Sequence, residues 1–195
     1  AGTGNIAAFT AVNTTSAPVT ATITITPWYE NGGVTCTGTT KNFTFTINPS
    51  AQVQPVASQV ACNGAGTTAV AFTSLNTGGT SSYTWSNSLP SIGLAAAGTG
   101  NIAAFTASNP TTAPVIANIT ITPWFENGGE TCTGTPQAFT FTVNPSAQVQ
   151  PVASQVVCNG AGTAAVVFST LNTGGTVTYT WTNSDQSVGL AAAGT

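Results

Sequence analysis

Apolar and polar residues alternate along several short segments of the chain. Residues 115–122 carry an apolar side chain at every odd position, and Phe139, Phe141 and Val143 are separated from one another by threonines. A period of two is typical of a strand with one buried and one solvated face, and the β-branched threonine suits the solvated face. No segment of the sequence combines a 3.6-residue apolar period with helix-capping residues. The pattern therefore predicts an all-β protein.

This pattern recurs with a period of 96 residues. Residues 1–10 return unchanged as residues 97–106, and residues 1–96 match residues 97–192 at 74 positions. A period of this length corresponds to one whole domain. Near-identical tandem copies favour an array in which length or the number of sites is the useful property.

Proline marks where the modules begin and end. The threonine-rich strand of each copy is followed by Asn-Pro, at residues 48–49 and 144–145, and proline has no N–H to donate to a strand ladder. We therefore expect the C-terminal half of one module at residues 1–49, a complete module at residues 50–145, and the N-terminal half of a third at residues 146–195.

The complete module is predicted to contain about seven strands, separated by turns rich in glycine and asparagine. The predicted strands are residues 52–60, 69–75, 81–86, 92–96, 102–107, 115–125 and 137–143. Seven short alternating strands with a tryptophan, Trp85, on the third outline an immunoglobulin-like β-sandwich. Trp85 is expected to fill the space between the two sheets.

Charged residues are rare and give a net charge of −3; they are Glu30, Lys41, Glu126, Glu130 and Asp185. A single lysine excludes nucleic-acid binding, which needs clustered lysine and arginine. Intracellular soluble proteins usually carry about a quarter charged residues, so this composition favours an exported protein. No apolar run reaches the roughly 18 residues of a transmembrane helix, and no membrane-spanning segment is expected.

The chain offers little for catalysis or metal binding. It has no histidine, and Val34 replaces Glu130 in the earlier copy, so the pair Glu126 and Glu130 is not a repeated feature. General acid–base catalysis needs a titratable pair, and calcium needs several carboxylates close together. We therefore expect no enzyme activity, no metal site and no cofactor.

One recurring motif suggests ligand contact, because two aromatic residues and a glutamate adjoin a glycine turn in each copy. The residues concerned are Trp28, Tyr29, Glu30, Trp124, Phe125, Glu126 and Asn127. They could form a platform on which a sugar stacks while the polar side chains bond its hydroxyls. Alternatively, the aromatic residues pack inward and the rest shape a hairpin. The sequence leaves both interpretations open.

Several motifs resemble a known class of repeat. They are residues 60–64, 83–85, 98–102, 132–135 and 139–145. In them the chain resembles the PKD-like and Ig-like tandem repeats of giant Bacteroidota surface adhesins, the gliding-motility-associated proteins among them. The resemblance implies an extracellular, cell-surface β-sandwich array in a bacterium, exported by the type IX route. The chain lacks the acidic turn of typical PKD domains, since Ser86, Asn87 and Ser88 follow Trp85, so the resemblance implies no calcium.

Four cysteines occupy two equivalent places in the repeat, and no histidine or Cys-x-x-Cys spacing points to zinc. Disulfides are expected, in keeping with an oxidising location. Because the first strand of Ig-like sandwiches lies parallel beside the last, the resemblance implies a bond between Cys62 and Cys132. Cys36 and Cys158 would then have partners outside the chain. The rival pairing, Cys36 with Cys62, would connect neighbouring modules.

These observations favour a structural or adhesive segment of a long extracellular repeat protein or surface filament. Such a segment provides reach and multivalent weak contact, and its partners would be adjacent copies of the same module. The alternative is a carbohydrate-binding module appended to a secreted enzyme, with surface glycans as partners. A third hypothesis is self-association into fibres, because the threonine-rich edge strands lack the lysines that usually block strand pairing.

Overall fold

In the computed structural model, which describes residues 2–195, the chain forms twelve β-strands. The strands are β1 (Val19–Ile25), β2 (Trp28–Asn31), β3 (Val34–Thr37), β4 (Lys41–Ile47), β5 (Gln59–Cys62), β6 (Thr80–Asn87), β7 (Ala97–Thr99), β8 (Val115–Asn127), β9 (Glu130–Thr133), β10 (Gln137–Asn144), β11 (Trp181–Thr182) and β12 (Ala193–Gly194). Two 3-10 helices lie at Pro90–Ile92 and Gln186–Val188. The prediction of an all-β protein is confirmed. Within residues 2–195 no helix is long and apolar enough to cross a membrane.

One six-stranded sheet dominates the centre of the chain. Its strand order is β5-β10-β8-β6-β7, and β9 pairs with β8 beyond the end of β10. Strand β5 runs parallel to β10, and the other pairs are antiparallel. Strand β8 is the longest and pairs with three neighbours, so it fixes the register of the whole sheet.

A second layer covers one face of this sheet. It consists of less regular segments joined by isolated bridges, Val53 to Ser74, Gly66 to Thr106 and Val70 to Ile102. Both layers contribute to a single core, as they do in a β-sandwich. The buried residues of this core are Val53, Val70, Phe72, Trp85, Ile92, Leu94, Ile102, Ala107, Ala117, Ile119, Ile121, Phe139, Phe141 and Val143. All of them lie within the predicted complete module, residues 50–145.

Trp85 takes the predicted place in the core. Its side chain is only 8% exposed, and its indole ring lies directly against the backbone of Gly98 on the neighbouring strand β7. A Cβ atom at position 98 would overlap the ring. The close approach of the two strands around Trp85 therefore depends on glycine.

The strongly periodic strands are confirmed, and the weaker ones are not. Strands β6, β8 and β10 match the predictions for residues 81–86, 115–125 and 137–143. The prediction for residues 92–96 is wrong, because Pro90–Ile92 forms a 3-10 helix and the strand begins at Ala97. Pro55 interrupts the predicted first strand, since proline cannot donate to a ladder, and only Gln59–Cys62 forms one.

A buried asparagine ties the loop before β8 to the last strand. The Nδ2 group of Asn109 donates to the carbonyl oxygens of Ala113 at 2.8 Å and Val143 at 2.7 Å. Its Oδ1 atom accepts from the backbone N–H of Thr111 at 3.0 Å and from the Thr111 hydroxyl at 2.7 Å. Asn109 is 1% exposed, so these bonds replace water completely.

The flanking segments repeat the local structure of the central one. Strands β1 and β4 pair in the same register as β8 and β10. Ile25 lies opposite Lys41, and one repeat later Ile121 lies opposite Gln137. Asn13 repeats the bonds of Asn109, donating to Ala17 and Ile47 at 2.8 Å each. The strand geometry thus follows the sequence repeat.

Candidate functional site

The predicted ligand motif lies on a hairpin formed by the end of β8 and by β9. Phe125 pairs with Cys132 and Asn127 with Glu130, so Gly128 and Gly129 are the two central residues of the turn. Their φ angles are +64° and +81°. A two-residue turn with positive φ at both positions matches the right-handed twist of the strands, and glycine adopts it without strain.

Strand alternation divides the motif between two faces. Phe125 points into the sandwich and is fully buried, whereas Trp124 is half-buried on the outer face and Glu126 is exposed. The Trp124 indole N–H donates to the Thr84 hydroxyl at 3.2 Å. Phe125 therefore fits the second interpretation, inward packing, and is not accessible to a ligand, because neighbouring residues of a strand face opposite sides.

Asn127 is engaged with the preceding half-module. Its Nδ2 group donates to Oδ1 of Asn48 at 2.9 Å, and Nδ2 of Asn48 donates to the backbone carbonyl of Asn127 at 2.9 Å. This reciprocal pair uses the side chain that was predicted to contact a ligand. The tip of the hairpin thus contacts the preceding half-module. Of the four candidates here, only Trp124 and Glu126 remain on an accessible face.

The earlier copy of the motif is open. Trp28 and Tyr29 are 68% and 69% exposed, and Glu30 is exposed as well, although strands β2 and β3 form the same hairpin. In the central module, strand β6 lies beside the corresponding residues of β8. Among residues 2–195 no strand pairs with β2 in the way that β6 pairs with β8. The exposure of this copy follows from that open edge and is not evidence of a ligand platform.

A second asparagine forms a junction that connects three segments. Oδ1 of Asn76 accepts from the backbone N–H of Gln52 at 2.6 Å, while Nδ2 donates to the carbonyl oxygens of Ser50 at 3.0 Å and Ser16 at 3.3 Å. The backbone N–H of Thr77 also donates to the Ser16 carbonyl at 3.0 Å. Asn76 therefore fixes the start of the central module against a loop of the half-module before it.

The same junction recurs one period later. Oδ1 of Asn172 accepts from Gln148 N–H at 2.6 Å, and its Nδ2 donates to the carbonyl oxygens of Ser146 at 3.0 Å and Thr112 at 3.4 Å. Thr173 N–H donates to the Thr112 carbonyl at 2.9 Å. Sequence reasoning interpreted Asn76 only as a turn residue. The unchanged Asn-Thr-Gly-Gly at residues 76–79 and 172–175 was the signal that could have identified it.

The predicted Cys62–Cys132 disulfide is absent, and the strand register explains why. Cys62 lies opposite Asn144, at the end of the sheet where β8 begins with Val115, whereas Cys132 lies opposite Phe125. Along β8, the position nearest to Cys62 is Val115 and the position nearest to Cys132 is Phe125. These positions are ten residues apart, roughly 33 Å at about 3.3 Å per residue. A disulfide needs Cα atoms within about 7 Å. The prediction of this bond is therefore wrong, and no cysteine is bonded to another within the described chain. Bonds from Cys36 and Cys158 to partners outside the chain stay a prediction.

The rival pairing fails within one chain for the same reason. Cys36 lies opposite Tyr29 on the β2–β3 hairpin. This hairpin is at one end of the first half-module, and Asn48 is at the other end. Cys62 lies at the end of the central module away from that junction. More than the length of one module therefore separates Cys36 from Cys62.

Titratable chemistry is sparse in the described structure. Among residues 2–195, no group of three or more histidine, cysteine or acidic side chains is placed to hold a metal ion. The side-chain hydroxyl of Ser187, and then its backbone N–H, bond the Asp185 carboxylate and hold the pKa of that group below its usual value. Asp185 thereby caps the 3-10 helix Gln186–Val188. Its role is local and structural.

Comparison with known proteins adds no family assignment. No protein-family model matches the chain, and no curated protein matches it at a significant level. The function is therefore inferred from the geometry of the chain itself, above all from the repeated junction.

Proposed function

We propose that the chain is a structural or adhesive segment of a long extracellular repeat protein or surface filament, built from immunoglobulin-like modules. The strand arrangement supports the choice of module type. A first strand parallel to the last, β5 beside β10, and a tryptophan between the layers are both features of that fold. In this proposal, each 96-residue repeat corresponds to one module of the string.

The observation that carries the proposal is the duplicated junction. Asn76 and Asn172 make equivalent bonds to the segment before them, at two boundaries separated by one repeat. No glycine- or serine-rich linker lies between the modules, and the reciprocal pair of Asn48 and Asn127 adds a further contact. Bonded junctions of constant geometry give a semi-rigid string, which is suited to reach rather than to independent movement of its modules.

The surface composition fits repeated weak contact outside the cell. Only 3% of residues are charged, so the outer faces are solvated mainly by threonine, serine and asparagine. Such faces bind weakly one at a time, and multivalency raises the total avidity by about 10² to 10⁴. The bacterial surface location and the type IX export implied by the family resemblance are part of this proposal. An antibody against the chain should label intact producing cells; labelling only after permeabilisation would contradict the location.

Stiffness can be tested by a distance measurement across the junction. In a background with the four cysteines replaced by serine, Asn42→Cys and Ala138→Cys place spin labels at equivalent exposed positions on two successive modules. Pulsed electron double resonance should give one narrow distance distribution. The Asn48→Ala and Asn76→Ala double variant should broaden it, because the side-chain bonds of both asparagines across the junction are lost and only the backbone bond from Thr77 to Ser16 remains.

A matched control uses Asn101→Ala, a substitution that removes an asparagine within the central module. Its Oδ1 atom accepts from Phe72 N–H rather than from another module, so the distribution should stay narrow. A broad distribution in the parent chain would remove the support for a semi-rigid string.

A further inference from the structure

The dipeptide Asn-Gly occurs at residues 31–32, 63–64, 127–128 and 159–160. This dipeptide is chemically labile, because the backbone nitrogen of the glycine can attack the side-chain amide carbon of the asparagine and displace ammonia. Glycine has no side chain to obstruct that approach. Water then opens the resulting cyclic imide. The reaction needs a glycine N–H that is free and an asparagine side chain that can turn over it.

The structure blocks both requirements at Asn63. The backbone N–H of Gly64 donates to the carbonyl oxygen of Ala107 at 2.8 Å. The Asn63 side chain is held at both of its polar atoms, because Oδ1 accepts from the backbone N–H of Asn109 at 2.8 Å and Nδ2 donates to the Ser146 hydroxyl at 3.1 Å. We therefore expect Asn63 to react slowly in the folded chain.

At Asn127 only one requirement is blocked. The N–H of Gly128 lies at the exposed tip of the β8–β9 hairpin and has no hydrogen-bond acceptor among residues 2–195. The Asn127 side chain is held by the bond from its Nδ2 to Oδ1 of Asn48 at 2.9 Å. Asn48 belongs to the preceding half-module. The restraint on this side chain therefore comes from across the junction.

We propose that Asn127 is a site of spontaneous deamidation and that Asn48 controls its rate. When the bond between the two side chains opens, the amide of Asn127 can turn over the Gly128 nitrogen. This nitrogen gives its proton to solvent hydroxide and bonds to Cγ of Asn127, the Cγ–Nδ2 bond breaks, and the side-chain nitrogen takes a proton from water and leaves as ammonia. Water then adds to one of the two imide carbonyl carbons and breaks its bond to nitrogen, which leaves aspartate or isoaspartate.

The product would weaken the junction. A carboxylate at position 127 accepts hydrogen bonds but does not donate them, so it cannot bond to Oδ1 of Asn48. Only the bond from Nδ2 of Asn48 to the backbone carbonyl of residue 127 would remain of the reciprocal pair. The reaction is irreversible, so each modified junction stays weakened. This consequence for stiffness rests on the proposed function, whereas the reactivity of Asn127 does not.

The test follows deamidation of the 195-residue chain during incubation at mildly alkaline pH, by mass spectrometry of its peptides. Asn31 provides an internal reference, because it lies in the same Asn-Gly-Gly turn and its side chain makes no hydrogen bond within the described chain. In the parent chain Asn31 should react fastest, Asn127 more slowly and Asn63 slowest. Equal rates at Asn127 and Asn63 would overturn the proposal.

The Asn48→Ala variant tests the control of the rate. Loss of one side-chain hydrogen bond should speed the reaction at Asn127 by about 5-fold and bring it close to the rate at Asn31. The rate at Asn63 should not change, which also shows that the central module is still folded. Asn42→Ala is the matched control, because Asn42 is an exposed residue of β4 in the same half-module and should leave the rate at Asn127 unchanged.

The proposal and the semi-rigid string can fail separately. An unchanged rate at Asn127 in Asn48→Ala would overturn the proposal, even if the spin-label distances of the parent chain are narrowly distributed. Equal acceleration at Asn127 in Asn48→Ala and Asn42→Ala would also overturn it. Broad spin-label distances would instead contradict the string, which the deamidation rates do not measure.

Discussion

Replacing Asn109 by alanine should destabilise the central module more than any other single loss of a polar side chain. The variant removes a bond to the buried carbonyl of Val143, a bond to the part-buried carbonyl of Ala113 and two bonds from Thr111. A buried carbonyl left without a donor costs about 1–3 kcal/mol. Because one of the two carbonyls is fully buried and the other is part-buried, we expect a loss of roughly 2–4 kcal/mol in the free energy of unfolding.

The equivalent residue of the flanking half provides the control. Asn13 makes the same bonds to Ala17 and Ile47 but is only half-buried. Water can replace the lost donor there, so Asn13→Ala should cost about 1 kcal/mol or less.

Urea unfolding followed by hydrogen exchange of peptides from β8 measures the stability of the central module directly. With an m-value of about 2 kcal/mol/M, Asn109→Ala should lower the midpoint by roughly 1–2 M. If both variants lowered the midpoint equally, or if Asn109→Ala changed it by less than about 0.3 M, the reasoning about burial would be refuted.

Three further outcomes are expected. Gly98→Ala should destabilise the fold by about 1–3 kcal/mol, because the new methyl group overlaps the Trp85 ring. Gly66→Ala is the control, because position 66 has open space around it, and it should be nearly neutral. Thermal unfolding measures both variants, and equal effects would contradict this account. The pKa of Asp185, followed by NMR, should lie below its usual value and rise in Ser187→Ala. Because the folded-state pKa is depressed, the cap's contribution is present above the unfolded pKa and is lost as pH falls through the folded pKa; an unchanged pKa in the variant would contradict the assigned cause. Peptide mapping under non-reducing conditions should find no disulfide that joins two cysteines of one chain, and such a disulfide would show that the strand register is wrong.

Local periodicity was sufficient to predict much of the sheet. Strands β6, β8 and β10 have clear alternation, and Trp85 was placed correctly in the core. The same rule, applied within the hairpin, separates Phe125 from Trp124, although the two were first grouped as one ligand site. Composition drew attention to the motif, but strand geometry determines which side chains are accessible.

Long-range geometry could not be predicted in the same way. The parallel pairing of β5 with β10 was predicted correctly. Cys132, however, lies on β9, which pairs with the end of β8 that is far from Cys62. The junction at Asn76 joins residues 60 positions apart, Ser16 and Asn76. No local pattern encodes such a contact, so only its exact recurrence at Asn172 pointed to a role beyond the turn.

The semi-rigid string is tested most directly by the distance between spin labels at residues 42 and 138. These positions are one repeat apart, and the module is about as long as β8, whose 13 residues span roughly 40 Å. A single narrow distribution centred at about 40 Å, broadened by Asn48→Ala with Asn76→Ala, is the predicted result. A parent distribution already as broad as that of the double variant would contradict the account, because the junction bonds would not then fix one module against the next.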